Sequence, residues 1–195
     1  LFRSQHKNQS FFSMMRSLLT HESPGLGGPL NEPIFINFMN LKIHQIKIIS
    51  YLLVGTFGLP IVYLFREKIR NRSGIKSFLE YSLILTLIPI LSPLSWKAYF
   101  IFLFPGYFIN YLFIYRFKNH LNKNKNLLIK ALFYISIILT VFSSEMFVGK
   151  YFSDILEVFS CYTIGSILLG INIIIFYTNF NEYEIATPLT EDKVY

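Results

Sequence analysis

The side chains able to hold or transform a substrate gather in two polar stretches of this 195-residue chain. One is Ser92-Pro93-Leu94-Ser95-Trp96-Lys97-Ala98-Tyr99, which contains the only tryptophan and lies between two strongly apolar runs. The other is His6-Lys7-Asn8-Gln9-Ser10, leading into a segment with Arg16. Hydroxyls, amides and cations of these kinds bind a polar ligand more readily than they move protons. Tyr99, with a reference pKa of about 10, is no base near neutral pH. The octapeptide has two readings of equal weight: a connector built from ordinary turn residues, or the wall of a site, since function concentrates on loops held by rigid elements. Trp96 itself fits a plain interfacial anchor as well.

The elements that position these stretches are apolar blocks. The chain is 53% hydrophobic and 15% charged, against a usual charged share of about 25% in soluble domains. The apolar residues form long blocks rather than amphipathic periods, the pattern of membrane spans. The sequence therefore predicts an all-α, multi-pass transmembrane bundle with five spans at about 45–65, 78–94, 99–115, 127–143 and 155–177. Residues 1–44 precede it as an outer segment, and 178–195 follow it as a polar tail. Within the outer segment, Phe11, Met14, Met15, Leu18 and Leu19 recur at three- and four-residue spacing while Ser13, Arg16 and Ser17 take the other side, which predicts an amphipathic helix. Ser10 is its expected N-cap. That helix either lies in the membrane interface or packs on the bundle. A run of prolines and glycines from Ser23 to Pro33 predicts an irregular loop.

Charge gives an orientation. The formal net charge is +7, and the basic residues sit beside the apolar blocks, which makes anionic lipid rather than nucleic acid their expected partner. The Arg66–Lys76 stretch carries five Lys or Arg and the Arg116–Lys125 stretch four, whereas the alternate connections carry only Lys97 and Lys150. The positive-inside rule then puts the two basic stretches and the tail in the cytoplasm. It puts residues 1–43, the Ser92–Tyr99 turn and a Ser144–Asp154 loop outside. Lys42 and Lys47, at the outer end of the first span, run against this pattern. No signal peptide is visible, and the chain reads as the carboxy-terminal part of something longer. The single Cys161 predicts no internal disulfide and no cysteine metal site; no metal or cofactor is expected. Asn110 and Asn172 inside spans read as ties between helices. Glu80 and Glu157 lie near span ends, with Glu80 on the cytoplasmic side. Glu145 and Asp154 are outward carboxylates within reach of a ligand on that face, although loop carboxylates are usually just solvated, and His6 and His21 read as solvated loop residues. Asn8-Gln9-Ser10 also matches the glycosylation acceptor pattern.

Asn8-Gln9-Ser10 followed some eighty residues later by Ser92-Pro93-Leu94-Ser95-Trp96, with Arg16 after the first and Pro105 after the second, resembles the carboxy-terminal half of glycosyltransferase family 87. These are bacterial multi-pass enzymes of the GT-C class that include polyprenyl-phosphate-mannose-dependent mannosyltransferases. The resemblance covers the chain from about Asn8 to the end of the third span. It implies a hexosyltransferase of the bacterial cytoplasmic membrane that moves a mannose-like sugar from a polyprenyl-phosphate donor to a hydroxyl of a lipid or glycan acceptor on the outer face. Asn8, Gln9, Ser10, Arg16, Ser92, Ser95, Trp96, Lys97 and Tyr99 are then its candidate substrate-binding residues. The departing phosphate calls for cations, for which Lys97, Arg16 and Lys7 are candidates. The general base, a carboxylate on the first outer loop of such enzymes, is expected upstream of this chain, so the catalytic residue is not assigned. Family members often carry histidines after the Trp where this chain has Lys97, Ala98 and Tyr99. The rival expectations are a transporter or channel fragment, which predicts polar residues lining the middle of spans, and a non-catalytic membrane scaffold.

Overall fold

The computed structural model describes residues 7–21, 34–66, 74–119, 121–180 and 183–184. His6, the whole Pro/Gly-rich loop, residues 67–73 of the first basic stretch and residues 185–195 of the tail lie outside the described residues. The fold is all-α. Among the described residues five helices are long and apolar enough to cross a bilayer: α2 (Ile43–Leu64), α3 (Gly74–Leu91), a 3-10 turn (Lys97–Leu103) continuing into α4 (Phe104–Tyr115), α5 (Lys123–Ile137) continuing into a π turn (Ile138–Phe142), and α7 (Cys161–Thr178). Two shorter helices are α1 (Phe11–Leu19) and α6 (Glu145–Val158). Among the described residues the one extended element is a two-residue antiparallel pairing of β1 (Lys118–Asn119) with β2 (Tyr183–Glu184), in the register Lys118 opposite Glu184.

Helix α7 is the centre of the bundle, packed against α3, α4 and α5. Small residues set its close approach. A Cβ on Gly165 would stand 2.6 Å from Thr140 Cγ2 and 3.1 Å from the Ser136 carbonyl oxygen, and one on Gly106 of α4 would meet Leu169 and Thr86 at 3.0 Å. Polar side chains tie the same seam. Asn172 Nδ2 donates to Asn110 Oδ1 at 2.7 Å and to the Ile129 carbonyl at 3.1 Å, and Ser136 Oγ donates to the Gly165 carbonyl at 2.7 Å. These are the inter-helix ties expected where hydrophobic association is weak because lipid is as apolar as leucine. Apolar contacts among Leu79, Leu83, Ile109, Phe113, Leu169, Ile173 and Phe176 fill the remainder, with the Phe113 and Phe176 rings stacked 4.8 Å apart.

Two local features differ from the sequence expectation. The stretch expected to be a loop from Ser144 to Asp154 is most of α6, and the fifth span begins at Cys161 rather than near Ile155. The reason is a sharp corner: Ser160 adopts φ 55°, ψ 36°, a left-handed conformation that ends α6 and starts α7. Gly149, at φ 76°, kinks α6 near its start where only glycine is unstrained. In addition α1 packs on the bundle, with Met14 and Leu19 buried and its axis against α2 and α3.

Candidate functional site

The strap Asn8–Ser10 and the turn Ser92–Ser95, more than eighty residues apart, are docked on one another. The Gln9 backbone N–H donates to the Ser95 carbonyl at 2.7 Å. Asn8 uses both ends of its amide: Nδ2 donates to the Pro93 carbonyl at 3.2 Å, and Oδ1 accepts the Ser95 backbone N–H at 2.9 Å and that of Ser10 at 3.3 Å. Ser10 caps α1 through its Oγ, which accepts the Ser13 N–H at 3.2 Å. The strap is also pinned to the corner between α6 and α7. Gln9 Nε2 donates to the Glu157 carbonyl at 2.8 Å, and Thr163 Oγ1 donates to the Gln9 carbonyl at 2.6 Å. An irregular segment buried this deeply is tolerable only because its backbone groups find such partners.

Beside this junction is a charged cluster. Lys97 Nζ forms an ion pair with Glu157 Oε1 and donates to Ser153 Oγ at 3.0 Å, while Ser153 Oγ donates onward to the Ser143 carbonyl at 2.9 Å. Glu157 is 2% exposed and Lys97 37%. Burial pushes the Glu157 carboxyl above the usual carboxylate range; Lys97, and more weakly Lys7, pull it back, and Asp154 adds to the rise. The Tyr162 ring lies under Lys97, 5.9 Å from ring centre to Nζ. The Ser95 and Tyr162 hydroxyls are buried with no hydrogen-bond partner among the described residues, and of the two Tyr162 lies against the ion pair.

Of the nine predicted binding residues, the structure brings most to one end of the bundle but divides them by depth. Asn8, Gln9, Ser10 and Ser95 are fully buried, and the hydrogen bonds above hold the fold together; their contribution to any site is positional. Ser92 Oγ is turned to the Leu94 carbonyl at 2.7 Å and shapes the turn. Trp96 and Tyr99 are exposed on the outer side of the turn, with the Tyr99 N–H bonded to the Trp96 carbonyl at 2.9 Å. Lys97 joins the two layers. Arg16 is half-buried in the last turn of α1. Ala98 and Tyr99 direct no second cation inward. His21 stacks on Phe35 at 4.3 Å and meets Asn37 Oδ1 at 3.2 Å, apart from the cluster.

Sequence reasoning passed over Ser153, placed Glu157 near a span end without a role, and took Asp154 for a solvated loop carboxylate although it is buried. All three belong to the inward face of α6, whose apolar side chains Met146, Phe147, Tyr151 and Phe152 point outward. That is inside-out for a helix in water and proper for one whose outer face meets lipid. Ser153, Asp154, Glu157 and Ser160 recur at three- and four-residue spacing, and that polar stripe was the available signal. Among the described residues no group of three or more His, Cys, Asp or Glu side chains is arranged to hold a metal. No protein-family model, curated protein or solved structure matches this chain.

Proposed function

We propose that the Trp96 end of this multi-pass membrane protein receives the phosphate–sugar head of a polyprenyl-linked donor and supports transfer of its sugar to an acceptor hydroxyl on the outer face of a bacterial cytoplasmic membrane. The observation that supports the reading is the docking of Asn8–Ser10 on Ser92–Ser95, which gathers both motif stretches around Lys97. In the transfer the bond from the sugar's anomeric carbon to the phosphate oxygen breaks, and one from that carbon to the acceptor oxygen forms. Polyprenyl phosphate leaves with the negative charge. Lys97 neutralises that charge at the edge of a partly buried site where a cation acts strongly, the Tyr162 hydroxyl beneath it supplies a hydrogen bond, and Trp96 and Tyr99 border the sugar. Glu157 fixes the Lys97 ammonium beneath the turn. By the family resemblance a carboxylate base takes the acceptor proton; that role is assigned to none of these residues, which bind and stabilise charge.

One observation favours the scaffold reading instead: Lys97 is already occupied by Glu157, a pairing that also fits a purely structural tie. Trp96, the only tryptophan, decides between the two readings. In nanodiscs, polyprenyl-phosphate-mannose is expected to change its emission saturably, the neutral polyprenol is expected not to, and Lys97→Met is expected to weaken the donor response at least tenfold. Identical responses to the two lipids would remove the glycosyl-transfer reading and leave the scaffold.

A further inference from the structure

Away from the charged cluster, α2 stands off from α3 and α7 and leaves an apolar groove of about 240 Å³ between them. Phe57 and Gly58 of α2, Leu87 of α3, and Gly170 and Ile171 of α7 line it, and Phe11 of α1 closes the end nearest the strap. The two glycines give it width. A Cβ on Gly58 would meet nothing within 4 Å, and one on Gly170 only ordinary contacts at 3.6 Å and beyond. No charged side chain lines it, so water has no partner there, and the helices that form its walls are long enough to place it in the hydrocarbon layer. Left empty, its lining would forfeit dispersion contacts along its whole length.

The end of α2 nearest α1 carries the two basic residues that topology leaves unexplained. Lys42 and Lys47 are both exposed, and Lys47 lies seven residues before the groove-lining Val54, on the same helix face and about 10 Å along the axis. A cation at that height above an apolar slot matches a lipid whose chain is buried and whose headgroup is anionic. Toward the charged cluster the slot is shut. Thr163 bonds the strap one turn above Ile167, which lines the groove, so Asn8–Phe11 stands between the groove and Lys97.

We propose that the groove between α2 and the α3–α7 pair is a binding site for one acyl chain of an anionic glycerophospholipid, with its headgroup phosphate held by Lys47. The site is independent of glycosyl transfer. It accounts for a basic residue placed against the charge asymmetry of the other loops, and it supplies packing for the middle of α2, which stands off from α3 and α7.

The test uses the protein in nanodiscs containing phosphatidylglycerol or phosphatidylcholine with a diazirine midway along one acyl chain, and maps the photo-crosslinks by peptide mass spectrometry. Crosslinks from the phosphatidylglycerol probe are expected to concentrate on 53–61 and 83–91. Gly58→Phe, and the smaller Gly58→Leu, should reduce them at least fivefold while Cys161 stays protected from maleimide. Lys47→Gln should lower labelling by the anionic probe at least threefold and leave labelling by the neutral probe unchanged. Crosslinks spread equally over the lipid-facing sides of α4 and α5, or unaffected by both Gly58 variants, would overturn the site. Equal labelling by the two probes would overturn its anionic assignment. Stoichiometric displacement of the phosphatidylglycerol probe by polyprenyl phosphate would overturn the proposed occupant in favour of a donor chain.

Discussion

Helices α2 and α7 are about equally apolar and differ in almost everything else. Of the most apolar eighteen residues in each, 61% are buried within the protein in α7 and 11% in α2. The difference lies in the side chains between the apolar ones. Helix α7 presents Gly165, Ser166, Gly170 and Asn172 to its neighbours, so backbones approach and amides bond across the seam. In α2 only Ile46 and Ser50 are buried; Gly55 and Gly58 have open space beside them, and the helix is tied in through α1 and a Tyr177 hydroxyl bond to the Leu64 carbonyl at 3.3 Å. Hydropathy alone marks both as spans, and small and polar residues decide which one the protein encloses.

The most severe way to break this contrast is to add a side chain at matched glycines. Gly165→Leu forces atoms into Thr140 and the Ser136 carbonyl, where a bare Cβ already stands at 2.6 and 3.1 Å, and should destabilise the bundle by about 3 kcal/mol. Gly58→Leu, at a site with nothing within 4 Å, should leave stability unchanged or slightly raised, because glycine is a poor helix former. The lone buried Cys161 provides the readout: its maleimide labelling in detergent should begin at much lower temperature in the first variant and at the unaltered temperature in the second. Equal losses would mean that α2 is packed as tightly as α7.

The next effect is at the head of α7, where the seam becomes charged. Lys97→Met leaves Glu157 buried without its ion-pair partner and should cost about 2 kcal/mol, a value reduced from that of a fully buried pair because Lys97 is partly exposed and the acid can take up a proton. The double variant Lys97→Met, Glu157→Leu should recover most of that loss. A double-mutant cycle read by Cys161 protection that shows no coupling would make the pair incidental to the fold.

How much of this was legible in the sequence follows from which signals are local. The five spans were legible because each is a continuous apolar block, and α1 was legible from the spacing of Phe11, Met14, Leu18 and Leu19 and its Ser10 cap. The buried side of α6 was not. Its run from Phe147 to Phe159 mixes aromatics with Ser153, Asp154 and Glu157, and a reading tuned to water takes such acids for solvated residues. The Ser160 corner lacked a glycine to announce it, so α6 and α7 read as a loop and one longer span. That Asn8 and Gln9 would face inward was likewise invisible, because nothing local says that an amide-rich strap will be covered by the start of α7. The groove escaped notice for the opposite reason: it arises where α2 fails to pack, and a stripe such as Leu53, Phe57 and Ile61 looks the same facing lipid or facing a slot.

A gentler way to sharpen the contrast is to remove the amide in the middle of the α7 seam. Asn172→Ala deletes bonds to Asn110 and to the Ile129 carbonyl. Hydrogen bonds between membrane helices contribute about 0.6 kcal/mol on average, so a loss of about 1 kcal/mol is expected, visible as a modest fall in the temperature at which Cys161 becomes reactive. A loss as large as that of Gly165→Leu would mean that the seam is held by polar ties rather than by close approach.

The smallest effect separates the two ends of that seam by pH. Glu157 holds its proton to higher pH in the folded protein than in an unfolded chain, because burial outweighs the pull of Lys97 and Lys7 and Asp154 adds to the rise. Between the ordinary carboxyl value, about 4.3, and the raised one, the folded state binds more protons than the unfolded state. The stabilising contribution is therefore complete below that ordinary value and is lost as pH rises through the window. Glu157→Gln keeps the size of the side chain without the titration, so the difference in stability between wild type and this variant should drift with pH across the window and level off above it. Asn172→Ala, in the neutral part of the seam, should show a constant difference from wild type over the same range. A constant difference for Glu157→Gln as well would mean that the carboxyl titrates alike folded and unfolded, and that the head of α7 is wetter than its burial implies.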